Sequence, residues 1–557
     1  MKNKRFLFLI PAVSLLLTGC GDEKTGGGEN KEPAQTWEQA KAQRVPVKIY
    51  LDESNVYGTY VSGTDENIVK EAIEKKFWED TGNAIDLQIR YESHATFTDN
   101  FGLAKLGNQW DAAVSYLGQA GIEETILNDD VTMDISSSLR RYGQHIISTI
   151  GQDSLNAVTS NNGVVIGIPS VNLTKQKGVL VRKDYMTAVG YTESREEAEN
   201  SGGTLTWCRT IKDFDTMVRK MKSENIASTP LSGSVYDMEF TLLAGALDST
   251  GYQYRDINYE VDGTTIKEVV PGWISKNYGK VLQQEYDWVK DGIWEQDNMN
   301  LAESNRLSNL ASGKTAVYFS NPTVTNLISV ARQALDVIKQ TKPNASFVLL
   351  DPLDAVDGEG KAIENSGAFV EVSKNTDCIV FSKRSRKVDL LIQYFDWMYT
   401  SKENYELCAY GVKGAEGQWI ESQYGDEYYE YPDEYYITHK PYSGAFMLVH
   451  NDLISCRMPM QYTETERNWI SKVRNYRCLK NATDGMLFYG CPVKTQTNFI
   501  VAEADIYQDC ATKAWTGIAN PANTWTNCCT AYRNQAGDYI QWLTTQYKQY
   551  VANRAQQ

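Results

Sequence analysis

Histidine is scarce and poorly placed for chemistry. The 557 residues include four, His94, His145, His439 and His450. None has the HxxxH or HxxH spacing that sets two imidazoles on one helix face around zinc. CxxC is absent, which removes a zinc ribbon and a thioredoxin-like site. GxSxG is absent, so a serine hydrolase has no nucleophile elbow. Ser312-Gly313-Lys314-Thr315 ends like a phosphate loop, but Ser308 occupies the place of the required upstream glycine. Asp354 and Asp357 lack the alternate-ligand spacing of a calcium loop and read as a solvated hairpin with Gly358. Long apolar runs are missing beyond the N-terminus, so no internal segment can span a bilayer. Of the hydrolases, a glycosidase is the one these absences do not touch. It needs two carboxylates across a sugar, and the chain has 71 acidic residues.

A formal charge of −16 with 42% hydrophobic residues suits a soluble globular protein of more than one domain. That acidity argues against nucleic acid and anionic lipid as partners. At the start, Lys2, Lys4 and Arg5 precede the apolar stretch Phe6 to Leu17, which is too short for a permanent span. Leu17-Thr18-Gly19-Cys20 follows and is similar to the lipobox of bacterial lipoproteins. Residues 1–19 are therefore expected to be a signal peptide, with Cys20 lipidated. Residues 20–44, with Gly26-Gly27-Gly28 among charges, are expected to be a flexible tether. Nine further cysteines, five of them between Cys478 and Cys529, leave disulfides or buried thiols open.

Ordered structure is expected from Val45. Val45–Leu51, Ile85–Tyr91 and Trp110–Tyr116 read as strands, separated by helices over Asp65–Thr81 and Phe97–Leu106. A β-α-β-α-β order implies a parallel sheet with right-handed crossovers. In the first helix, Ile68, Val69, Ala72, Ile73 and Phe77 form the inward stripe. Thr210–Lys222 predicts a helix with Ile211, Phe214, Met217, Val218 and Met221 inward. Val388–Tyr399 predicts another amphipathic helix. Trp78, Trp288, Trp294 and Trp397 fall in or beside such stripes and are expected to pack.

The centre of the chain is Gly163 to Met186. Val164–Ile168 reads as a strand closed by Pro169, which cannot donate a ladder hydrogen bond, and Val179–Val181 reads as a second strand leading into a helix. Ile166-Gly167-Ile168-Pro169-Ser170 and Leu180-Val181-Arg182-Lys183-Asp184-Tyr185 resemble the first hinge crossing of the extracellular solute-binding proteins of ABC sugar importers. In the same order, Pro230-Leu231-Ser232-Gly233, Tyr286–Ile293, Gly313–Phe319, Val388–Tyr399 and Tyr410–Trp419 resemble further motifs of that family. The segment Lys222–Ser228 lacks the acidic ladder that many members carry there, so no calcium is predicted.

The resemblance covers most of the chain beyond the tether. It implies an α/β, two-lobed periplasmic-binding-protein-like fold, each lobe a mostly parallel sheet flanked by helices. The expected lobes are residues 45–175 with 320–382 and residues 176–319 with 383–557, the return crossing following Phe319. It also implies a monomeric receptor at the extracellular face of the cytoplasmic membrane, held there through lipid alone. Such a receptor passes a carbohydrate to ABC permease subunits with no cofactor or covalent chemistry, and no metal-binding residue is assigned. A peptide or other small-molecule receptor is the alternative, and a surface glycoside hydrolase the remote one.

Aromatics supply what the chemistry lacks: 34 Tyr and 13 Trp. Rings cover the flat C–H faces of sugars while polar tips meet hydroxyls. In open α/β sheets ligands sit beyond the carboxyl ends of strands. That places Asp52, Asn55 and Tyr57 after the first strand and Tyr116 after the third. Ser170, Asn172 and Asn321 fall at crossings. Tyr236, Asp237 and Trp419 are assigned to the second lobe, Trp419 as an accessible wall. Tyr428–Tyr436 reads as an exposed strand pair or a sugar platform.

Overall fold

Val45–Asp52 is a strand, exposed at Val45, Pro46 and Lys48 and buried from Ile49 to Asp52, and it pairs in parallel with Ile85–Glu92 over eight residues, Val45 opposite Ile85. The computed structural model describes residues 35–52, 64–115, 131–160, 163–171, 177–247, 257–262, 265–274, 278–357, 359–370, 378–423, 425–432, 442–479 and 490–554. Nine strands carry the two main sheets and are numbered here in chain order. They are β1 (Val45–Asp52), β2 (Ile85–Glu92), β3 (Ala112–Ser115), β4 (Gly167–Pro169), β5 (Leu180–Arg182), β6 (Leu231–Ser232), β7 (Val317–Tyr318), β8 (Phe347–Leu349) and β9 (Cys378–Phe381). The first sheet runs β2-β1-β3-β9-β4 and the second β8-β5-β7-β6.

Strand direction follows one rule in both sheets. β1 to β4 run the same way and β9 opposes them. β6, β7 and β8 run the same way and β5 opposes them. The reversed strand is, in each lobe, the one that enters from the other lobe. Helix crossovers return the chain to the start of a parallel strand, whereas a hinge delivers it at the opposite end. The carboxyl ends of all the parallel strands therefore face the hinge.

Each sheet buries both faces, which is why its strands read as unbroken apolar runs such as Ile49-Tyr50-Leu51 and Cys378–Phe381. In the first, Val47, Ile49 and Leu51 pack with Val69, Ile73 and Phe77, while Tyr50 on the other face packs with Phe97, Phe101 and Trp110. In the second, Val179, Val181 and Val317 face Phe214, Trp288 and Trp294, while Leu180 and Tyr318 face Leu327 and Ile328. Each such aliphatic side chain contributes about 1.5–3 kcal/mol of burial. The helix Ile211–Ser223 buries all five residues of its expected stripe, and Thr210 with Asp213 closes a capping box at its start. At its other end the Lys222 ammonium donates to the carbonyls of Ser228 (3.0 Å) and Gly292 (2.9 Å), tying down the loop that lacks the acidic ladder.

Four expectations change. Residues 37–41 are helical rather than tether: Ala40 is buried, and the Trp37 ring lies 5.7 Å from Trp78 on the helix Thr64–Thr81. In that helix Ile68 is exposed, and Glu74 is buried instead, accepting the Leu87 N–H at 2.8 Å and pairing with Arg44. Burial raises the Glu74 carboxyl, against the pull of the Leu87 N–H, Lys70 and Arg44. The third change is the lobe division. β7 pairs with β5 and β6, so the chain has not crossed back after Phe319. It stays in the second lobe through the helix Val324–Ile338 and β8, and re-enters the first lobe between residues 370 and 378. Residues 388–410 and 445–449, expected in the second lobe, pack on the first. A third crossing near residues 450–458 then leads to helices Glu464–Arg474 and Pro521–Arg554, whose contacts are with the second lobe.

The fourth change is the tyrosine run. Tyr428–Glu430 pairs antiparallel with Ile420–Glu421 and parallel with Met458–Pro459, making a ribbon at the third crossing. Tyr428 packs toward the second lobe's core and Tyr429 toward the first's. Residues 433–441 lie outside the described residues. None of the nine cysteines beyond Cys20 is in a disulfide among the described residues.

Candidate functional site

The carboxyl ends of β6 and β7 gather a polar cluster. Beyond β6, Ser234 caps the short helix Val235–Met238: its Oγ accepts the Asp237 N–H (3.2 Å), and its hydroxyl donates to Asp237 Oδ2 (2.6 Å). Beyond β7, Asn321 takes the left-handed conformation at φ +42°, which asparagine tolerates better than most residues. That turn aims the Asn321 N–H at Asp237 Oδ2, 3.0 Å away. Two predicted residues from different strand ends are thus joined directly. Burial raises the Asp237 carboxyl, the Ser234 and Asn321 bonds and the charge of Lys177 lower it, and Glu303 raises it further. Glu303 in turn accepts the hydroxyls of Tyr318 (2.6 Å) and Ser320.

Lys177 and Glu303 belong to this cluster, and sequence reading missed both. Lys177 bridges to Thr323 at the first crossing, five residues beyond Asn172, so the crossing itself was the available signal. Tyr236 is half-buried with its ring edge-on to Trp515, 5.8 Å away. Asp52 ends β1 beside Glu92 and is 1% exposed, a buried carboxylate at the hinge-facing end of the first sheet.

Ser170 does a different task from the one expected. Its Oγ accepts the His450 N–H at 2.9 Å and its hydroxyl donates to the His450 carbonyl at 3.3 Å. The Val171 N–H also donates to that carbonyl, and the Asp452 N–H donates to the Val171 carbonyl, both at 2.7 Å. The first and third crossings are therefore laced together, and Ser170, 8% exposed, is part of the hinge.

Trp419 is corrected in both place and exposure. It is 1% exposed and belongs to the first lobe's core. Its indole N–H donates to the Gly411 carbonyl at 3.0 Å, Tyr410 meets it edge-on at 5.7 Å, and the Arg457 guanidinium lies 5.2 Å above it. Asn55, Tyr57, Tyr116 and Asn172 lie outside the described residues, as does Cys20. Among the described residues no group of His, Cys, Asp and Glu is set to hold a metal ion, and no helix is long and apolar enough to cross a membrane.

No protein-family model matches the chain, and no curated protein matches it. Solved structures do. The N-glycan transport solute binding protein (NgtS) of Streptococcus pneumoniae superposes with a TM-score of 0.60 at 13% identity, covering 91% of this chain and 99% of that one. The HMO binding, ABC-transporter associated solute binding protein of Bifidobacterium longum infantis gives 0.58 at 13% identity, over 91% and 99%. The alginate-binding protein AlgQ2 gives 0.55 at 12% identity, over 90% and 98%. The fold is that of the two-lobed α/β solute-binding proteins, over nine-tenths of the chain.

Proposed function

We propose that this protein is an extracellular receptor that captures a carbohydrate, with an oligosaccharide as the preferred class, and delivers it to an ABC permease. The carrying observation is directional. The parallel strands of both sheets end at the hinge, and Asp237 and Asn321 meet where two of them stop. The printed names of the similar structures, for N-glycan transport, HMO binding and alginate binding, support a sugar over other solutes. Ligand bridging the lobes would favour the closed state, the form a permease distinguishes. Lys2 to Cys20 supports export and lipid anchoring at Cys20. Loss of fatty-acid label in Cys20→Ser is the expected result, and retained label contradicts it.

The protein binds without turnover on this reading. Asp237 and Glu303 are two carboxylates, one raised by burial, which is the feature a glycosidase would need. Both stand in the same lobe, and Asp237 Oδ2 already accepts two hydrogen bonds. Asp237→Asn should weaken oligosaccharide binding by about 1–3 kcal/mol, read by calorimetric titration, while recovered sugar stays intact with either protein. Because the folded carboxyl is raised, its stability term is full below the unfolded pKa and is lost as pH rises through the folded one. The wild type should therefore lose stability with rising pH in that window relative to Asp237→Asn. Unchanged affinity would remove Asp237 from the site, and steady product formation would make the protein a hydrolase.

A further inference from the structure

The end of the first lobe opposite the hinge carries a basic and apolar patch that the receptor reading does not use. β1 and β3 begin there and β9 ends there, since Ala112 pairs with both Ile49 and Phe381. Asp111 knits this end together. Its carboxylate accepts the Lys48 N–H (2.8 Å), the Ser385 hydroxyl (2.6 Å) and the Lys387 ammonium (3.0 Å). These bonds lay the run Ser382-Lys383-Arg384-Ser385-Arg386-Lys387 across the pole. Lys387 is neutralised by Asp111, while Lys383, Arg384 and Arg386 are exposed. Neither Arg384 nor Arg386 has a carboxylate partner among the described residues.

The last turn of the helix His94–Leu106 adds the apolar part. Leu103 is 69% exposed and Leu106 85%, one turn apart on the same face. Between that turn and the basic run opens a cavity of about 640 Å³, lined by Lys105, Leu106, Trp110, Lys383 and Arg384 among others. Asp99, a turn nearer the helix start, is exposed and subtracts one charge.

We infer that this pole is a membrane-contact surface that takes the anionic phosphodiester headgroups of phospholipid, with Leu103 and Leu106 entering the interface. Three observations select a membrane. Exposed leucines flanked by cations fit a surface that is anionic outside and apolar beneath. The overall charge of −16, which argues against anionic lipid for the chain at large, makes an anionic surface repel every approach except this locally basic pole and so orients the molecule by it. The described chain also enters the lobe here, since the helix Trp37–Lys41 leads into the start of β1. Residues 21–34 beyond it reach about 50 Å at most from Cys20. Lipidation at Cys20 would hold this pole near the bilayer, though the patch requires no lipid to bind.

The test is flotation of the full chain with vesicles of phosphatidylcholine alone or mixed equally with phosphatidylglycerol. Each cation near an anionic surface strengthens binding by roughly fivefold. Arg384→Glu/Arg386→Glu should lower binding to the mixed vesicles on the order of tenfold or more, leave binding to the neutral ones unchanged, and lose its deficit in high salt. Leu103→Ser/Leu106→Ser should lower binding to the mixed vesicles severalfold. All four positions are exposed, so melting temperatures should match the wild type. If charge reversal disturbs folding, Arg384→Gln/Arg386→Gln serves the same comparison. Equal flotation of wild type and charge variant overturns the inference. Equal flotation with lost solute uptake in cells also overturns it and assigns the cations to a protein partner.

Discussion

Trp419→Ala should destabilise the ligand-free protein by about 3–5 kcal/mol, the cost of emptying a large buried aromatic site. Affinity of the folded fraction should stay unchanged. The ring is walled by Tyr410 and Tyr429 and covered by Lys413 and Arg457, with its N–H bonded to Gly411. Gly417 makes the turn that folds it inward. A Cβ there would lie 2.2 Å from the Val412 carbonyl oxygen, so only glycine passes. Urea denaturation of the apo protein with calorimetric titration decides the point. Normal apo stability with weakened sugar binding would return Trp419 to the cleft.

Arg306→Met should cost about 3–5 kcal/mol, because it strands a buried carboxylate and two carbonyls. Arg306 is 2% exposed. It donates to the carbonyls of Gly233 (2.8 Å) and Asn298 (2.5 Å) and to Glu295 (3.1 Å). Glu295, 5% exposed, also accepts the Ser232 hydroxyl and the Asn309 amide. This network clamps the end of β6, from which Ser234 and Asp237 spring. Arg306→Met/Glu295→Gln should be less damaged than the single variant, since the uncompensated charge goes with its partner. Simple additivity of the two single changes in urea melts would contradict a coupled pair.

Local patterns were legible in the sequence, and long-range allegiance was not. The stripe Ile211–Met221 states a face and burial obeys it, while Val45–Asp52 reads as a strand and is buried on both faces from Ile49 onward. Pro169 marked the first crossing because its missing N–H ends a ladder. An amphipathic helix such as Val388–Tyr399 announces that it has a core face without saying which core, so residues 388–410 and 445–449 were placed with the wrong lobe. Similarly, the Gly313–Phe319 strand looked like a return crossing, yet it pairs beside β5. Ser170 stood at a crossing as expected, but its hydroxyl is consumed by the backbone of His450, 280 residues away. Asp237 and Asn321 could be placed beyond strand ends because strand ends are local features. Their contact over 84 residues, and the approach of Lys177 and Glu303, required the fold.

Carbohydrate capture between the lobes can be read from a thermal-shift screen of the protein against matched panels of oligosaccharides and short peptides. Ligand that binds the native state alone adds about 2.7 kcal/mol of stability at a hundredfold excess over Kd. A carbohydrate receptor should show a concentration-dependent rise in melting temperature with at least one oligosaccharide and none with the peptides. A rise with peptides and none across the oligosaccharides would contradict it.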